Sequence, residues 1–458
     1  MSQSETTGPP SHAALRRRWP TLWLLSVAQL MLILDVTVVA IALPHIGGDL
    51  DLGRESLTWI VSAYTLTFGG LMLVGGRLAD ALGARRIVVA GLVVFTVASL
   101  AVGLAPDGGI ALVGRVGQGV GAAMLSPSAL SFVVTMFDGA ERARALGIWS
   151  ALGGGGAALG VLLGGVITDL AGWRWAFGIN VPIGVGLVVA LAILLPRSLR
   201  SGGVRDVDLM GGVLATLATA SLIFAIIDAG SGAPLWRPVV AAAIGFGLYG
   251  LFGLRQRVAR TPLISLELLA RRDVLTGVAL IFMATALTVA VFFLGSFYFQ
   301  EHLHYTALVT GLLFLPVALT TMAGANIAGR LLPRAGARAL GVSGLVLAAA
   351  GLALAGLILV PVVVVVGISI AAAGTGALFV VSAATALGRV EPREAGVASG
   401  ALSTFHEFGA STGAAVMSTI AAASLAGGTT SGFVAALTIA AISSVVAAMA
   451  IGAALRRR

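Results

Sequence analysis

Long apolar runs alternate with short polar breaks from about residue 20 to the end of the chain. Each run reaches roughly 20 residues or more, enough for a helix to cross about 30 Å of hydrocarbon. The breaks collect Gly, Pro, Asp and Arg, the residues that end helices and make turns. The pattern predicts helices near 20–45, 56–76, 87–105, 109–136, 144–170, 175–195, 208–229, 236–256, 273–299, 308–330, 339–359, 361–388, 396–424 and 431–455. That is an all-α polytopic membrane protein with about 14 transmembrane helices. Composition agrees: the 458 residues are 58% hydrophobic and 10% charged, with mean hydropathy +1.03. Soluble domains carry about 25% charged residues, so a soluble enzyme is excluded.

A net charge of +9 raises the question of nucleic acid, and the distribution answers it. All 28 basic residues are arginine. With the N-terminus in the cytoplasm, 24 of them fall on the cytoplasmic side, in the clusters 16–18, 77–86, 142–144, 197–205, 255–272, 330–338, 389–393 and 456–458. Arg54, Arg174 and Arg237 fall outside, and Arg115 lies within a span. This is the positive-inside asymmetry of a membrane protein, and no nucleic-acid partner is expected. The implied organisation is a cytoplasmic tail (1–19), a six-helix bundle (20–195), a two-helix insert with linkers (196–272), a second six-helix bundle (273–455) and a cytoplasmic C-terminus (456–458).

Residues 1–15 are polar, contain Pro-Pro and read as disordered. The first apolar run is too long for a signal-peptide core, so it should stay as an anchor. Absence of cysteine removes disulfides and thiolate chemistry. The five histidines, at 12, 45, 302, 304 and 406, form no ligand set, so neither metal nor cofactor is expected.

Two loops recur. "GRLADALGARR" (76–86) matches "GRLLPRAGAR" (329–338), and "DGAERARALG" (138–147) matches "VEPREAGVASG" (390–400), each at corresponding places in the first and last six helices. Two duplicated six-helix halves are a transporter's construction, with the binding site between them.

"LDVTVVAIALP" (34–44), "WIVSAYTL" (59–66), "GGRLADALGARR" (75–86), "RVGQGVGAAMLSPSAL" (115–130) and "GWRWAFGINVPIG" (172–184) follow in this order. Together they resemble the fourteen-helix drug:proton antiporter family of the major facilitator superfamily. The resemblance implies two bundles rocking about a central cavity and export of a small molecule in exchange for protons. It also implies a cavity lined by Trp59, Tyr64, Gln118, His406 and Glu407.

In the first loop, Gly76 and Gly83 would allow a tight turn between helix ends, with Arg77, Arg85 and Arg86 holding it at the cytoplasmic surface. Asp80 can cap the next helix or meet a helix N-terminus of the other half; the resemblance implies the second use, as a conformational latch. The second copy has Pro333 instead, so a latch would be one-sided. Gly156, Gly160 and Gly164 recur every four residues on one helix face, where small side chains admit a close neighbour. The family's antiporter signature carries Pro where Val161 stands, so this helix should kink less. Trp173 and Trp175 suit the outer interface, and Asn180 can satisfy a neighbouring helix.

Asp35 is the only charge in the first run, at a cost of roughly 2.5–3.5 kcal/mol on insertion scales. At 1.5 Å per residue it lies about 16 Å from the outer end of its helix, and Arg115 about 9 Å from the outer end of an oppositely directed one. The two can meet, directly or through Gln118. Burial disfavours the ionised carboxylate and a neighbouring guanidinium favours it, so proton occupancy at Asp35 becomes conditional on its surroundings. Glu407 lies about 16 Å from the cytoplasmic end of its helix. The family often has Arg-Gln where this chain has His406-Glu407, which turns the site anionic and should favour cations.

These readings make the chain a monomeric proton-coupled exporter of lipophilic, cationic drugs or secondary metabolites in a bacterial cytoplasmic membrane, with Asp35, Arg115 and Glu407 in proton coupling: Asp35 as the principal proton carrier tuned by Arg115, and Glu407 as the next candidate. The alternative is a facilitative or lipid-moving transporter of the same fold. The arginine tally generates a topological test in a chain without cysteine: Asp51→Cys should be labelled in intact cells by an impermeant maleimide, and Ser201→Cys should not. The reverse pattern would overturn the topology.

Overall fold

The computed structural model describes residues 12–195, 207–391, 394–426 and 430–454. The tail before residue 12, the arginines of 197–205 and the final 455–458 lie outside the described residues.

Helices α1 (His12–Asp49), α2 (Arg54–Leu82), α3 (Ala84–Gly103), α4 (Gly108–Met136), α5 (Gly139–Ala171), α6 (Arg174–Gly178) and α7 (Asn180–Leu194) make the first part of the chain. The hairpin α8 (Leu209–Ala229) and α9 (Trp236–Val258) follows, then a short α10 (Leu266–Ala270). The remainder is α11 (Arg272–Phe297), α12 (Ala307–Leu357), α13 (Pro361–Leu387), α14 (Ala395–Ala426) and α15 (Ser431–Ala454). Among the described residues, eleven helices are long and apolar enough to cross a membrane.

Several boundaries differ from the periodicity. Residues 12–15, expected to be disordered, open α1; Ala13, Ala14 and Leu15 are good helix formers and carry the run backward. The expected helix 175–195 forms one span, Arg174–Leu194, in which a local irregularity at Ile179, itself in helical φ/ψ, divides α6 from α7. The expected external loop 300–306 begins as a π-helical turn, Tyr298–His302, continuing α11. The expected helices 308–330 and 339–359 are the two arms of α12, which meet at a kink where Gly336 leaves helical geometry with φ 75° and ψ 160°.

Gly336 is the counterpart of Gly83 in the repeated loop, and Gly83 has φ 95°. Both repeats therefore turn at the glycine that tolerates positive φ. Gly76, expected to share that turn, instead lies inside α2; the turn needs one residue of positive φ, and Gly83 supplies it. A second correspondence sits beside it. Arg18 on α1 pairs with Glu141 on α5 at 2.7 Å, and Arg271 before α11 pairs with Glu394 before α14 at 2.9 Å. Glu141 and Glu394 occupy equivalent places in the other repeated loop.

In the first bundle α1 lies on α5 and α4 on both α2 and α3; in the second, α11 lies on α13 and α14, and α12 on α13 and α15. The bundles meet along two symmetry-related seams, α2 with α14 and α5 with α12. Hydrogen bonds between the halves gather away from the arginine-rich end: Thr58 with Ser418, Thr65 with Ser411, and Gln300 Nε2 donating to the Ile41 carbonyl. Glycines make the close approaches. A Cβ on Gly165 would meet the Ala307 carbonyl at 2.7 Å, and one on Gly311 the Val161 carbonyl at 2.7 Å. Gly156, Gly160 and Gly164 all face α1, against Leu30, Thr37 and Val38, as their spacing predicts.

Helix α8 packs on both α2 and α14. Its N-terminal end is fastened by Asp208, which accepts from Arg255 Nε at 3.0 Å and Gln256 Nε2 at 2.9 Å. Arg77 donates to the Pro262 carbonyl at 3.1 Å and so ties the repeated loop to the linker after this hairpin.

A methyl group on Gly164 would lie 2.9 Å from Val38 Cα, a backbone atom that cannot rotate away, whereas one on Gly186 meets nothing within 4 Å. Gly164→Ala should therefore lower stability by about 1–3 kcal/mol through overpacking. Gly186→Ala should leave it unchanged or raise it by up to about 1 kcal/mol. Thermal unfolding in one detergent compares them; equal midpoints for the two variants would refute the packing.

Candidate functional site

Asp35 and Arg115 meet as the depth arithmetic predicts. They form a buried ion pair, 2% and 1% exposed, between α1 and α4. Each charge has further partners. Gln118 Nε2, one turn along α4 from Arg115, donates to Asp35 Oδ1 at 2.8 Å and to Ser99 Oγ on α3 at 2.8 Å. Arg115 Nη1 donates to Gln118 Oε1 at 2.8 Å, and its Nε to the Ile60 carbonyl on α2 at 2.8 Å. Asn180 Nδ2 on α7 makes a long contact of 3.5 Å with Asp35 Oδ1. The Tyr64 ring lies 4.4 Å from the guanidinium carbon, a cation–π stack in a dry site. Arg115 thus turns into the bundle and does not reach for water.

Glu407 has a different setting. It is 8% exposed on α14, and its Cβ would lie 2.5 Å from a Cβ on Gly69. Glycine at 69 therefore lets the carboxylate stem sit against α2, on the seam between the halves. His406 Nε2 lies 4.0 Å from Glu407 Oε1, while His406 Nδ1 shares a hydrogen bond with Thr285 at 3.1 Å. The two neighbours leave the helix about 100° apart and differ in exposure, the His406 side chain 40% and that of Glu407 10%, although their tips remain within 4.0 Å.

Three residues expected to line the cavity are placed elsewhere in this structure. Tyr64 and Gln118 are wholly buried, because the desolvated Arg115 and Asp35 need them as partners. Trp59 packs on the α8 side of α2, against a cluster of Leu66, Ile223, Ile227, Phe408 and Ala415. In the repeated loop Asp80 is exposed and does not cap α3, whose N-cap is Gly83 without a side-chain bond. Arg85 donates to the Ala192 carbonyl near the end of α7, and Arg86 is exposed. Trp173, expected at the interface, is buried with its Nε1 donating to Asp49 at 3.0 Å; Trp175 is exposed. No group of three or more potential metal ligands occurs among the described residues.

Sequence reasoning did not name Ser99, although a lone serine inside an otherwise apolar span is a visible signal. It also missed the hydroxyls of the α2–α14 seam, Thr58, Thr65, Ser411 and Ser418, which are ordinary residues until two helices bring them together.

Removing one partner of a buried ion pair leaves the other uncompensated, at a cost of about 3–5 kcal/mol. Arg115→Met should therefore lose most folded protein in detergent, and adding Asp35→Asn should recover much of it. If the double variant is no more stable than Arg115→Met, the pair is not the reason.

A profile of the Major Facilitator Superfamily matches residues 25–414. The puromycin resistance protein of Streptomyces alboniger is 37% identical over 420 residues, covering 88% of this chain and 82% of that protein. A cephamycin export protein of Amycolatopsis lactamdurans is 36% identical over 424 residues, covering 89% and 85%. Among solved structures, a bacterial homologue of the human lysosomal transporter Spinster, in an inward-facing and occupied conformation, superposes with a TM-score of 0.71 at 15% identity, over 96% of this chain and 97% of that one. With its duplicated loops, its two seams and these relatives, the chain belongs to the Major Facilitator Superfamily, a family of membrane transporters and not of enzymes.

Proposed function

We propose that the protein is a proton-coupled antiporter that exports lipophilic, cationic drugs or secondary metabolites across a bacterial cytoplasmic membrane. Relatives named for puromycin resistance and cephamycin export support the substrate class of small bioactive molecules. Counting the two arms of α12 separately and including α5 and α14 gives fourteen spans. Both termini are then cytoplasmic, the arginine-rich end is the cytoplasmic face, and no cofactor besides the proton is needed. The outer ends of the halves are drawn together in this structure, which supports an inward-facing state.

The observation that carries the coupling is Glu407: a carboxylate on the seam between the halves whose ion-pair contact among the described residues is His406 at 4.0 Å, and not an arginine. An ionised carboxylate in such a place has to be compensated, either by a proton or by a cation. Competition of the two for one group is antiport. Asp35 is differently held, with Arg115, Gln118 and Asn180 as donors inside a single bundle. We therefore assign the travelling proton to Glu407 first, and to the Asp35–Arg115 pair the fixed field that tunes it through Tyr64. This reverses the order expected from sequence, where Asp35 led. A proton moving down roughly 150 mV contributes about 3.5 kcal/mol, enough for a several-hundredfold substrate gradient at one-to-one exchange.

In proteoliposomes, Glu407→Gln should bind a lipophilic cation more weakly than wild type and fail to concentrate it against its gradient when a pH difference is imposed. Asp35→Asn should fold in lower yield, because it leaves Arg115 uncompensated, but per folded molecule it should retain partial uphill exchange with a displaced pH optimum. If Glu407→Gln drives uphill exchange at the wild-type rate and Asp35→Asn does not, the order of the two acids is the reverse of the one proposed. If both drive it, neither acid alone carries the proton; if the wild type itself cannot concentrate the cation under a pH difference, the transporter is facilitative.

A further inference from the structure

A file of hydroxyl groups runs along the α2–α14 seam, and neither packing nor substrate binding accounts for it. On α2, Thr58, Ser62 and Thr65 lead at helical spacing to Gly69, where Glu407 docks; on α14, Ser418 and Ser411 lead to Glu407 itself. Thr58 Oγ1 donates to Ser418 Oγ at 2.6 Å. One stretch deeper, the hydroxyls of Thr65 and Ser411 share a hydrogen bond, and Ser411 Oγ also lies 3.3 Å from the Ser62 carbonyl. Ser62 Oγ, between these two rungs, is buried without a hydrogen-bond partner, and so is Thr404 Oγ1, one turn before Glu407.

Each end of the file is defined. At the end away from the arginine clusters, Ser418 forms part of the wall of a cavity of about 330 Å³, with Arg54, Glu55, Ser56 and Thr419 beside it. At the other end stands the Glu407 carboxylate. The lipid side is closed by α8: Ile223 and Ile227 pack onto Leu66 and Phe408, and Thr419 Oγ1 donates to the Ile226 carbonyl at 2.8 Å. The seam is therefore polar inside and apolar outside, under a helix that belongs to the two-helix insert.

The two hydrogen-bonded rungs are seven residues apart on both helices, about 10 Å, too far for one proton transfer. Ser62 lies between them with its hydroxyl unsatisfied, and leaving such a group unpaired costs about 1–3 kcal/mol. A water held there would satisfy it and join the rungs.

We propose that this file is the route by which protons from the outer cavity reach Glu407. A hydronium in the cavity gives its proton to the first oxygen. Each hydroxyl or water along the file takes up one proton and passes on another, and the Glu407 carboxylate accepts the last to become a neutral acid. Reorientation of the hydroxyls restores the file. This rests on the antiport reading above. The titratable groups about Glu407 are His406 on its own helix, Tyr64 on α2, and the Asp35–Arg115 pair behind Tyr64. The other packed elements carry charge only at their ends: Asp228 on α8, and Arg272 and Asp273 on α11; α13 and α15 have none.

The test uses the full chain in proteoliposomes with a lipophilic cationic dye as probe. Three variants are compared: Ser62→Ala/Ser411→Ala, Ser411→Thr and Glu407→Gln. Proton-driven dye transport and dye–dye counterflow at equal pH are measured separately. The path predicts that the double alanine variant slows proton-driven transport about tenfold, that acidifying the outer medium restores part of it, and that counterflow is kept. Ser411→Thr, which keeps the hydroxyl, should run near the wild-type rate. Equal loss of counterflow and driven transport in the double variant would make the hydroxyls structural and overturn the path. A wild-type rate and pH profile in that variant would also overturn it, while failure of Glu407→Gln to couple would leave the antiport reading standing. Full coupling in Glu407→Gln would remove both the path and the assignment of the travelling proton to Glu407.

Discussion

Two opposite charges, on Asp35 and Arg115, are held almost free of water inside the first bundle, and the placing of five helices follows from keeping them satisfied. The carboxylate comes from α1 and the guanidinium from α4. Ile60 of α2 supplies a carbonyl, Ser99 of α3 a hydroxyl and Asn180 of α7 an amide. A buried pair of this kind adds little net stability over a well-packed apolar pair, but any rearrangement that separates it is expensive. It therefore favours movement of the bundle as one body. Rigid halves are what a rocking transporter requires, and the motion is then left to the seams.

The two seams are built differently from the bundle interior. Glycines at 69, 165 and 311 bring backbones together, and short hydroxyls take the place of charged pairs. Such contacts are individually weak, about 0.6 kcal/mol for interhelical hydrogen bonds in a membrane, and can be exchanged as the halves move. Helix α8 covers one seam while touching both halves. Asp208 ties the start of α8 to α9 within the insert, and the bond from Arg77 to the Pro262 carbonyl fastens the insert to the same loop whose duplicate sets the bend at Gly336.

Depth in the membrane was legible from the sequence, and direction around the helix was not. Counting residues at 1.5 Å each placed Asp35 and Arg115 at compatible heights on oppositely directed helices, and the pair forms. The spacing of Gly156, Gly160 and Gly164 defined a face, and that face lies on α1. Trp59 and Tyr64 carried no such constraint. A cavity position differs from a buried or insert-facing one by a rotation of about 100°, a single residue, and apolar surroundings on all sides give no amphipathic stripe to fix it. The break between the expected helices 308–330 and 339–359 was legible, since Gly336 leaves helical φ/ψ there, but how little chain the turn needs was not: the two arms of α12 follow one another with only that kink between them. Hydroxyl pairs such as Thr65–Ser411 join residues 346 apart, and nothing local announces them.

The central claim is that substrate leaves as protons enter. Everted membrane vesicles carrying the protein, acidified inside by respiration and loaded with a pH-sensitive dye, test it most directly. Adding a transported lipophilic cation should draw protons out of the vesicles and dequench the dye, in wild type and not in Glu407→Gln. Uptake of the cation without dequenching, undiminished by an uncoupler, would contradict it.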